Sequence, residues 1–152
     1  MDLQAYLDRF NVRYQMTEHP TVFTAQHLAQ AEHVPGRQVA KPVLVEADGQ
    51  LVLCALPAPD KVDLDALKNE LEADDVRIAS EEEVRQVFRD CELGAEPPIG
   101  ALFGLPTFAD ESLMHGQRLT FQAGTHNEAV TMSTDDYCRL AQPGIGRFAT
   151  RP

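Results

Sequence analysis

The chain has 152 residues, with 13 Lys and Arg against 24 Asp and Glu, so its formal net charge is −11. An apolar share of 43% with 24% charged residues predicts a globular protein and excludes a disordered one. This length supplies one hydrophobic core, and we predict a single domain over residues 1–152. The longest apolar run, residues 51–56, is too short to span a membrane, and the first residues do not form an export signal. We therefore expect a cytoplasmic protein without a membrane partner.

Acidic residues are concentrated in the stretch 60–96, which holds 13 acidic and five basic residues. Such a charge run is most often a solvated helical face, and a protein-interaction surface is the alternative. The overall charge argues against a DNA-binding protein. The nearly neutral remainder of the chain can still meet a short piece of nucleic acid.

Familiar metal, disulfide and cofactor patterns are missing. The three cysteines are far apart and form no CxxC pair, and the five histidines lack metal-ligand spacing. The chain also has no Walker loop, GxSxG elbow, HExxH or GxGxxG motif. We expect no disulfide framework, no metal site and no cofactor.

The first half of the chain alternates short helices with strands. Helical spacing of apolar residues predicts a helix over residues 3–11, and alternation predicts a strand over residues 12–16. Thr24 is placed to cap a helix that runs to His33. Residues 38–46 and 50–56 are rich in β-forming residues and are joined at Asp48-Gly49, which is typical of a tight hairpin.

The second half mixes short helices and strands around one irregular stretch. Asp63, Ser80 (with Glu83) and Ser133 (with Asp136) are predicted to cap helices, the last of which ends before Pro143. Further strands are predicted over residues 76–79, 107–109, 118–122 and 129–132. Residues 93–100 fit neither a helix nor a strand. This order indicates an α+β fold, with a mixed sheet or a partly closed barrel.

Lys41 lies in an otherwise apolar strand. Alternation places its side chain opposite that of Ala40, toward an interior or a cleft. A partly buried ammonium group is costly unless it meets an anion or carbonyl oxygens. The alternative is a lysine whose stem lies on the sheet while its ammonium group stays in water.

The stretch from Gly94 to Gly100 combines flexible glycines with rigid prolines. Such a loop can hold backbone N–H groups in fixed directions, as an oxyanion or phosphate cradle requires; the alternative is an ordinary tight turn. Pro97 and Pro98 offer no N–H, so the candidate donors are Gly94, Ala95, Glu96, Ile99 and Gly100. His126 and His19 are further candidates for orienting a substrate, or they simply stabilise turns.

The order of these features resembles the YbaK/prolyl-tRNA synthetase-associated editing domain family over roughly residues 12–142. The segments that carry the resemblance are Thr17-Glu18-His19-Pro20, Thr24-Ala25, Val39-Ala40-Lys41, Asp48-Gly49, Lys61-Val62-Asp63-Leu64, Gly94-Ala95-Glu96-Pro97-Pro98 and Ala123-Gly124-Thr125-His126. Lys41 matches the lysine on which that family depends, and Gly94 and Pro98 match the glycine and proline of its GxxxP loop. His126 is similar to a histidine found near the amino-acid pocket of some members. Pro42 departs from many relatives, which have a small or polar residue after the lysine.

The resemblance implies a twisted, largely antiparallel mixed sheet with flanking helices. It also implies a free-standing aminoacyl-tRNA deacylase that acts on the acceptor end of mischarged tRNA, often tRNA(Pro), with prolyl-tRNA synthetase as a candidate partner. Catalysis is expected from Lys41, Gly94, Ala95, Glu96 and Pro98, and substrate binding from His126, Gly100 and His19. The amino acid removed stays open among alanine, cysteine, serine and threonine. The alternative function is a non-catalytic module that binds a small metabolite or a tRNA 3′ end.

Overall fold

The structure, a computed structural model, describes residues 1–151 as five short helices, ten strands and three 3₁₀ turns. The helices are α1 (Leu3–Arg9), α2 (Ala25–Ala31), α3 (Leu64–Glu70), α4 (Glu81–Val87) and α5 (Thr134–Ala141). The strands are β1 (Tyr14–Glu18), β2 (Ala40–Ala47), β3 (Gln50–Pro57), β4 (Lys61–Val62), β5 (Val76–Ile78), β6 (Thr107–Asp110), β7 (Arg118–Gln122), β8 (Glu128–Ser133), β9 (Gly144–Gly146) and β10 (Ala149–Thr150). The 3₁₀ turns are Gly36–Gln38, Gly100–Phe103 and Glu111–His115.

Side-chain caps begin the helices where the sequence predicted them. Thr24, Asp63, Ser80 and Ser133 each accept a hydrogen bond from a backbone N–H in the first turn of α2, α3, α4 and α5, respectively. At α4 the Glu83 side chain also accepts from the backbone N–H of Ser80, which completes the predicted capping box. Asp2 caps α1 in the same way, which the sequence analysis had not predicted.

The predicted hairpin joins β2 to β3. Ala47 pairs with Gln50, and both turn residues have a positive φ, 49° at Asp48 and 83° at Gly49. Two positive φ values define the turn that matches the twist of antiparallel strands. The Asp48-Gly49 prediction is therefore confirmed, and this hairpin aligns Lys41 on β2 with Leu56 on β3.

The strands form three sheets. The largest has the order β5-β2-β3-β6-β9; its first three strands are antiparallel, while β6 runs parallel to both β3 and β9. The second sheet, β1-β8-β7, is antiparallel throughout, and β4 pairs with β10 in the third. The prediction of a mixed, largely antiparallel α+β fold is confirmed, and of its two forms the open sheet is correct, since the strands of residues 1–151 do not close into a barrel.

A single parallel bridge between Val39 and Thr120 brings the end of β7 beside the start of β2. Residues displaced equally from such a bridge lie level with each other. Lys41 and Gln122 are each two residues beyond the bridge, so this junction places them side by side. The site described below is built around it.

Three strands were missed by the sequence analysis, and all are very short. They are β4, β9 and β10, with two or three residues each. The Gly-Ile-Gly sequence of β9 has no side-chain alternation that would predict a strand, yet its glycines are needed there. A Cβ on Gly144 would stand 2.7 Å from the Phe108 ring on the neighbouring β6. Close packing against an aromatic ring, rather than local propensity, therefore explains this strand.

Candidate active site

Two neighbouring cavities meet where β2 faces the loop that follows α4. The smaller has a volume of about 140 Å³ and is lined by Lys41, Pro42, Gly94 and Gln122, together with α2 residues and the start of β2. The larger, of about 220 Å³, is mostly apolar and reaches Phe88 and Glu96. Pro42 and Gly94 line both cavities. A ligand with two unlike ends can therefore place one end in each.

Lys41 lines the smaller cavity together with its buried neighbour Ala40. Its ammonium Nζ donates a hydrogen bond to the backbone oxygen of Ala58 at 3.0 Å. Burial lowers the pKa of Lys41 below its ordinary value; the Asp60 carboxylate opposes that shift, and Lys61 adds to it. One bond to a neutral carbonyl leaves two N–H groups of the ammonium for a ligand.

Three hydrogen bonds hold the turn between β3 and β4, which contains the Ala58 carbonyl. The backbone N–H of Ala58 donates to the oxygen of Val39 at 2.9 Å. Asp60 is almost completely buried and accepts two hydrogen bonds from Arg37, each of 3.0 Å. This bidentate pair fixes the residues between β3 and β4, and with them the acceptor of Lys41.

Pro42 is accommodated because β2 has a strand partner on only one side at that point. Pro42 pairs with Ala55 of β3, whereas β5 pairs with β2 only at residues 45–47. A proline is tolerated at such an edge because one row of backbone groups faces away from the sheet. The residue that departs from the family pattern therefore leaves β2 intact and borders both cavities.

The loop 94–100 uses most of its own donors internally. Four of the five candidate N–H groups donate within the protein: Gly94 to the Glu96 side chain at 2.9 Å, Ala95 to the Glu92 oxygen at 2.9 Å, Ile99 to the Pro97 oxygen at 2.8 Å and Gly100 to Thr107 Oγ1 at 2.7 Å. Among residues 1–151 the N–H of Glu96 has no acceptor. It is therefore the candidate donor that remains for a ligand.

Tight packing makes this loop rigid. Gly94 has a φ of 88°, which a glycine adopts without strain. The Pro98 carbonyl accepts a 2.6 Å hydrogen bond from the buried Tyr137 hydroxyl of α5. A Cβ on Gly100 would collide with the backbone oxygen of Leu105. Gly100 and Pro98 therefore support the loop from the protein side and line neither cavity.

The two histidines lie behind the loop. His126 donates from Nε2 to the Leu93 oxygen at 2.8 Å, and its Cε1 is 3.6 Å from where a Cβ on Gly94 would stand. The backbone N–H of His19 donates to the oxygen of Asn127, the residue that follows His126. Both side chains are buried, and neither lines a cavity described above. The structure thus brings His126 against Gly94, whereas His19 is held by Asn127 and Pro20.

Gln122 is the cavity residue that the sequence analysis missed. It ends β7, is 5% exposed and lines the smaller cavity with Lys41. A glutamine at a strand end belongs to no motif, and only the Val39–Thr120 bridge between distant segments brings it beside Lys41.

Cys54 and Cys91 are not activated as nucleophiles, and residues 1–151 contain no cluster of metal ligands. Burial raises the pKa of Cys54 to about 12 and that of Cys91 to about 11, so neither thiol is ionised at neutral pH. Within residues 1–151, no three His, Cys, Asp or Glu side chains are grouped so that they could hold a metal ion. None of the helices over the same residues is both long enough and apolar enough to cross a membrane.

A family model described as "Aminoacyl-tRNA editing domain" matches residues 19–140. The chain belongs to the aminoacyl-tRNA editing domain family. Editing of an aminoacyl-tRNA is hydrolysis of its aminoacyl ester, so this protein is an aminoacyl-tRNA deacylase. The resemblance stated from the sequence is confirmed.

Individual relatives agree with that assignment. The chain is 28% identical over 151 residues to the multifunctional Ser/Thr-tRNA deacylase ProXp-y of Escherichia coli strain K12, covering 96% of this chain and 90% of the relative. It is 31% identical over 118 residues to a proline–tRNA ligase of Streptococcus pneumoniae serotype 4, of which the match covers only 18%.

The fold is shared with a solved structure of a proposed trans-editing enzyme for prolyl-tRNA synthetase. The TM-score is 0.85 at 21% identity, over 97% of this chain and 94% of the other. At this identity the likeness concerns the fold alone, and it agrees with the open mixed sheet described above.

Proposed function

We propose that this editing domain acts in trans, as one free-standing domain, on mischarged tRNA(Pro), with Lys41 and the loop 94–98 as its catalytic centre. The observation that carries the proposal is the cavity lined by Lys41 and Gly94. There a half-buried ammonium group lies across from a loop that keeps one N–H, that of Glu96, without an acceptor. Lys41 lines the smaller cavity and Glu96 the larger, and the two cavities meet at Pro42 and Gly94. Donors on both sides of this junction suit an ester carbonyl whose oxygen becomes negative during hydrolysis.

The reaction needs no protein nucleophile. A water molecule, assisted by the 2′-hydroxyl of the substrate, attacks the ester carbonyl carbon, gives up one proton through that hydroxyl to solvent, and forms a tetrahedral oxyanion. The Glu96 N–H and the Lys41 ammonium stabilise this charge. The intermediate then collapses, the bond to the ribose oxygen breaks, and that oxygen takes a proton from solvent. The products are the free amino acid and the uncharged tRNA.

The cavity size limits the amino acid. A cavity of about 140 Å³ is close to the roughly 150 Å³ that holds one benzene molecule. Alanine, serine, cysteine and threonine all fit this space, so its volume does not decide among the four candidates. A synthetase pocket discriminates poorly against smaller side chains, at only about 1–3 kcal/mol per methylene, so a second site of this size serves accuracy. The E. coli relative is named as a Ser/Thr-tRNA deacylase, which favours serine and threonine as the amino acids removed here.

Arginine side chains line a groove that can bind the phosphates of the tRNA end. Arg37, Arg118 and Arg151 line a groove of about 520 Å³, and Arg118 also borders a second groove that contains Arg13. Arg118 and Gln122 are the two ends of β7, and four strand residues span about 13 Å. We assign this arginine groove to the phosphates of the acceptor end, with the esterified amino acid reaching the Lys41 cavity.

The physiological setting follows from the substrate. Mischarged tRNA(Pro) is produced by prolyl-tRNA synthetase, so we place the protein in the cytoplasm near that enzyme. The relation to a segment of a streptococcal proline–tRNA ligase supports this pairing.

The first test is amino-acid release from tRNA(Pro) charged in turn with Ala, Cys, Ser, Thr and Pro. We expect rapid release of at least one noncognate amino acid and little release of proline. Lys41→Ala is expected to lower kcat/KM by roughly 100-fold or more, as loss of an oxyanion donor does. Lys68→Ala, which removes an exposed lysine of α3 outside the cavity, is the matched control.

Unchanged release by Lys41→Ala would refute the assigned centre. If no charged tRNA(Pro) is hydrolysed while the protein still binds its 3′ end, the alternative of a non-catalytic binding module is supported instead.

A further inference from the structure

Three buried acceptor atoms have no hydrogen-bond partner among residues 1–151, and the Gln122 side chain among them lines the Lys41 cavity. They are Nε2 of His19, Oε1 of Gln122 and Nδ1 of His126. In each neutral ring the other nitrogen lies 2.8 Å from a carbonyl oxygen, Pro20 for His19 and Leu93 for His126, so that nitrogen carries the proton. The unpartnered nitrogens are therefore lone-pair acceptors. For Gln122, the amide nitrogen faces the Val22 oxygen and leaves the amide oxygen as the acceptor.

Two of these residues are tied to one backbone unit. Val22 donates its N–H to the oxygen of His126 at 2.9 Å, and its own oxygen accepts from Gln122 Nε2. The second bond is long, at 3.4 Å, and holds the amide only loosely. Gln122 lines the Lys41 cavity, and the His126 ring packs against Gly94, which lines it too.

Buried acceptor atoms that lack a donor indicate which kind of ligand group would bind them. A buried acceptor without a partner is costly, because it has lost its hydrogen bonds to water. A hydroxyl group supplies only one donor, whereas an ammonium group supplies three and adds a positive charge. Lys41 does not fill this role where it lies, since its ammonium group donates to Ala58 and neither Gln122 Oε1 nor His126 Nδ1 has a partner among residues 1–151.

We propose that Gln122, which lines the cavity beside Lys41, forms the subsite for the α-ammonium group of the aminoacyl ester. This inference rests on the proposed function. Gln122 is the specificity-determining residue, because its amide oxygen accepts from the ammonium group within the cavity. The site then selects esters with a free α-amino group over those in which it is replaced or acylated, such as a growing peptide on tRNA.

The experiment compares seryl-tRNA(Pro) with its deaminated counterpart, glyceryl-tRNA(Pro), in which a hydroxyl replaces the α-ammonium group. Gln122→Met keeps the side-chain length and removes the acceptor, and Gln50→Met on an exposed strand end is the matched control. We expect Gln122→Met to lower kcat/KM for the seryl substrate roughly 10- to 100-fold, as for hydrogen bonds to charged groups. The loss for the glyceryl substrate should be less than threefold.

An equal loss on both substrates would show a structural role for Gln122, and no loss on either would show that water alone satisfies these atoms. Both outcomes overturn the proposal. Binding of a non-hydrolysable amide, 3′-seryl-amino-3′-deoxyadenosine, separates the subsite from the catalysis. If this amide binds in a Gln122-dependent way but no ester is cleaved, the subsite stands and the proposed function fails.

Discussion

At the scale of single residues, the environment of Lys41 decides what its ammonium group can do. Desolvation in the cavity disfavours the charged form, while the Asp60 carboxylate favours it. The cation remains the form that can stabilise an oxyanion. Because burial has removed competing water, each of its interactions is stronger than on the surface.

The pH profile of the reaction should report this lysine. The pKa of Lys41 is lowered, so activity that depends on the cation should fall as pH rises, beginning below the ordinary lysine pKa of about 10.4. The free energy of unfolding should rise slightly over the same range, because the folded protein buries the neutral amine more easily. The measurement is kcat/KM between about pH 7 and pH 10, corrected for spontaneous ester hydrolysis.

Lys41→Arg is the informative variant for this profile. Arginine stays charged to above pH 12, so whatever activity it retains should lose the alkaline decline. A decline at the same pH in both proteins would assign it to another group.

At the scale of elements, the turn between β3 and β4 works as a support for the site. It connects Arg37, from the 3₁₀ turn before β2, with the carbonyl that Lys41 uses. Asp60 is nearly inaccessible, whereas the Arg37 side chain is 41% exposed. The partial exposure of Arg37 means that solvent compensates for part of a lost pair.

Asp60→Asn should therefore loosen this support. We expect a loss of about 1–3 kcal/mol in the free energy of unfolding, measured by urea denaturation. Since the Asp60 charge raises the pKa of Lys41, its removal should also move the alkaline decline of activity to lower pH. Asp65→Asn, on the exposed face of α3, is the control. A stability loss without any shift of the pH profile would show that Asp60 acts on folding alone.

At the scale of the whole molecule, charge is separated. The stretch 60–96 is strongly acidic, within a chain of net charge −11, while Arg13, Arg118 and Arg151 border two adjoining grooves. Arg37 borders one of these grooves too, but it is paired with Asp60 of the acidic stretch. An acidic protein can thus present a local positive surface to a polyanion and repel it elsewhere. We therefore expect tRNA to bind at the face that carries these arginines.

The salt dependence of kcat/KM should show whether tRNA binds at this face. We expect log kcat/KM to fall linearly with log salt concentration, with a slope of about −0.7 to −0.9 per phosphate contact. Arg118→Gln should reduce the steepness by about one contact and weaken different charged tRNAs alike. Arg85→Gln, on the exposed face of α4, should leave the slope unchanged. Equal slopes in all three proteins would place the tRNA on another surface.

Local features were predicted well because their causes are local. A capping hydroxyl or carboxylate bonds a backbone N–H three residues away, as Ser80 does with Glu83, and the Asp48-Gly49 turn depends on two dihedral pairs. Strand limits were less accurate: the strand predicted over residues 38–46 begins at Ala40, because Gly36–Gln38 form a 3₁₀ turn. Strand β9 escaped prediction because it depends on a distant aromatic ring.

Composition, caps, turns and the ordered motifs around Lys41 and Gly94 were sufficient to predict the fold class, the family and the residues to examine. They were not sufficient to show which N–H of the loop is free, what Lys41 is bonded to, or that Gln122 lies beside it. Each of these depends on contacts between segments far apart in the chain, such as the bridge from Val39 to Thr120. Local propensity carries no information about such contacts, because burial and pairing arise only when the sheets pack together.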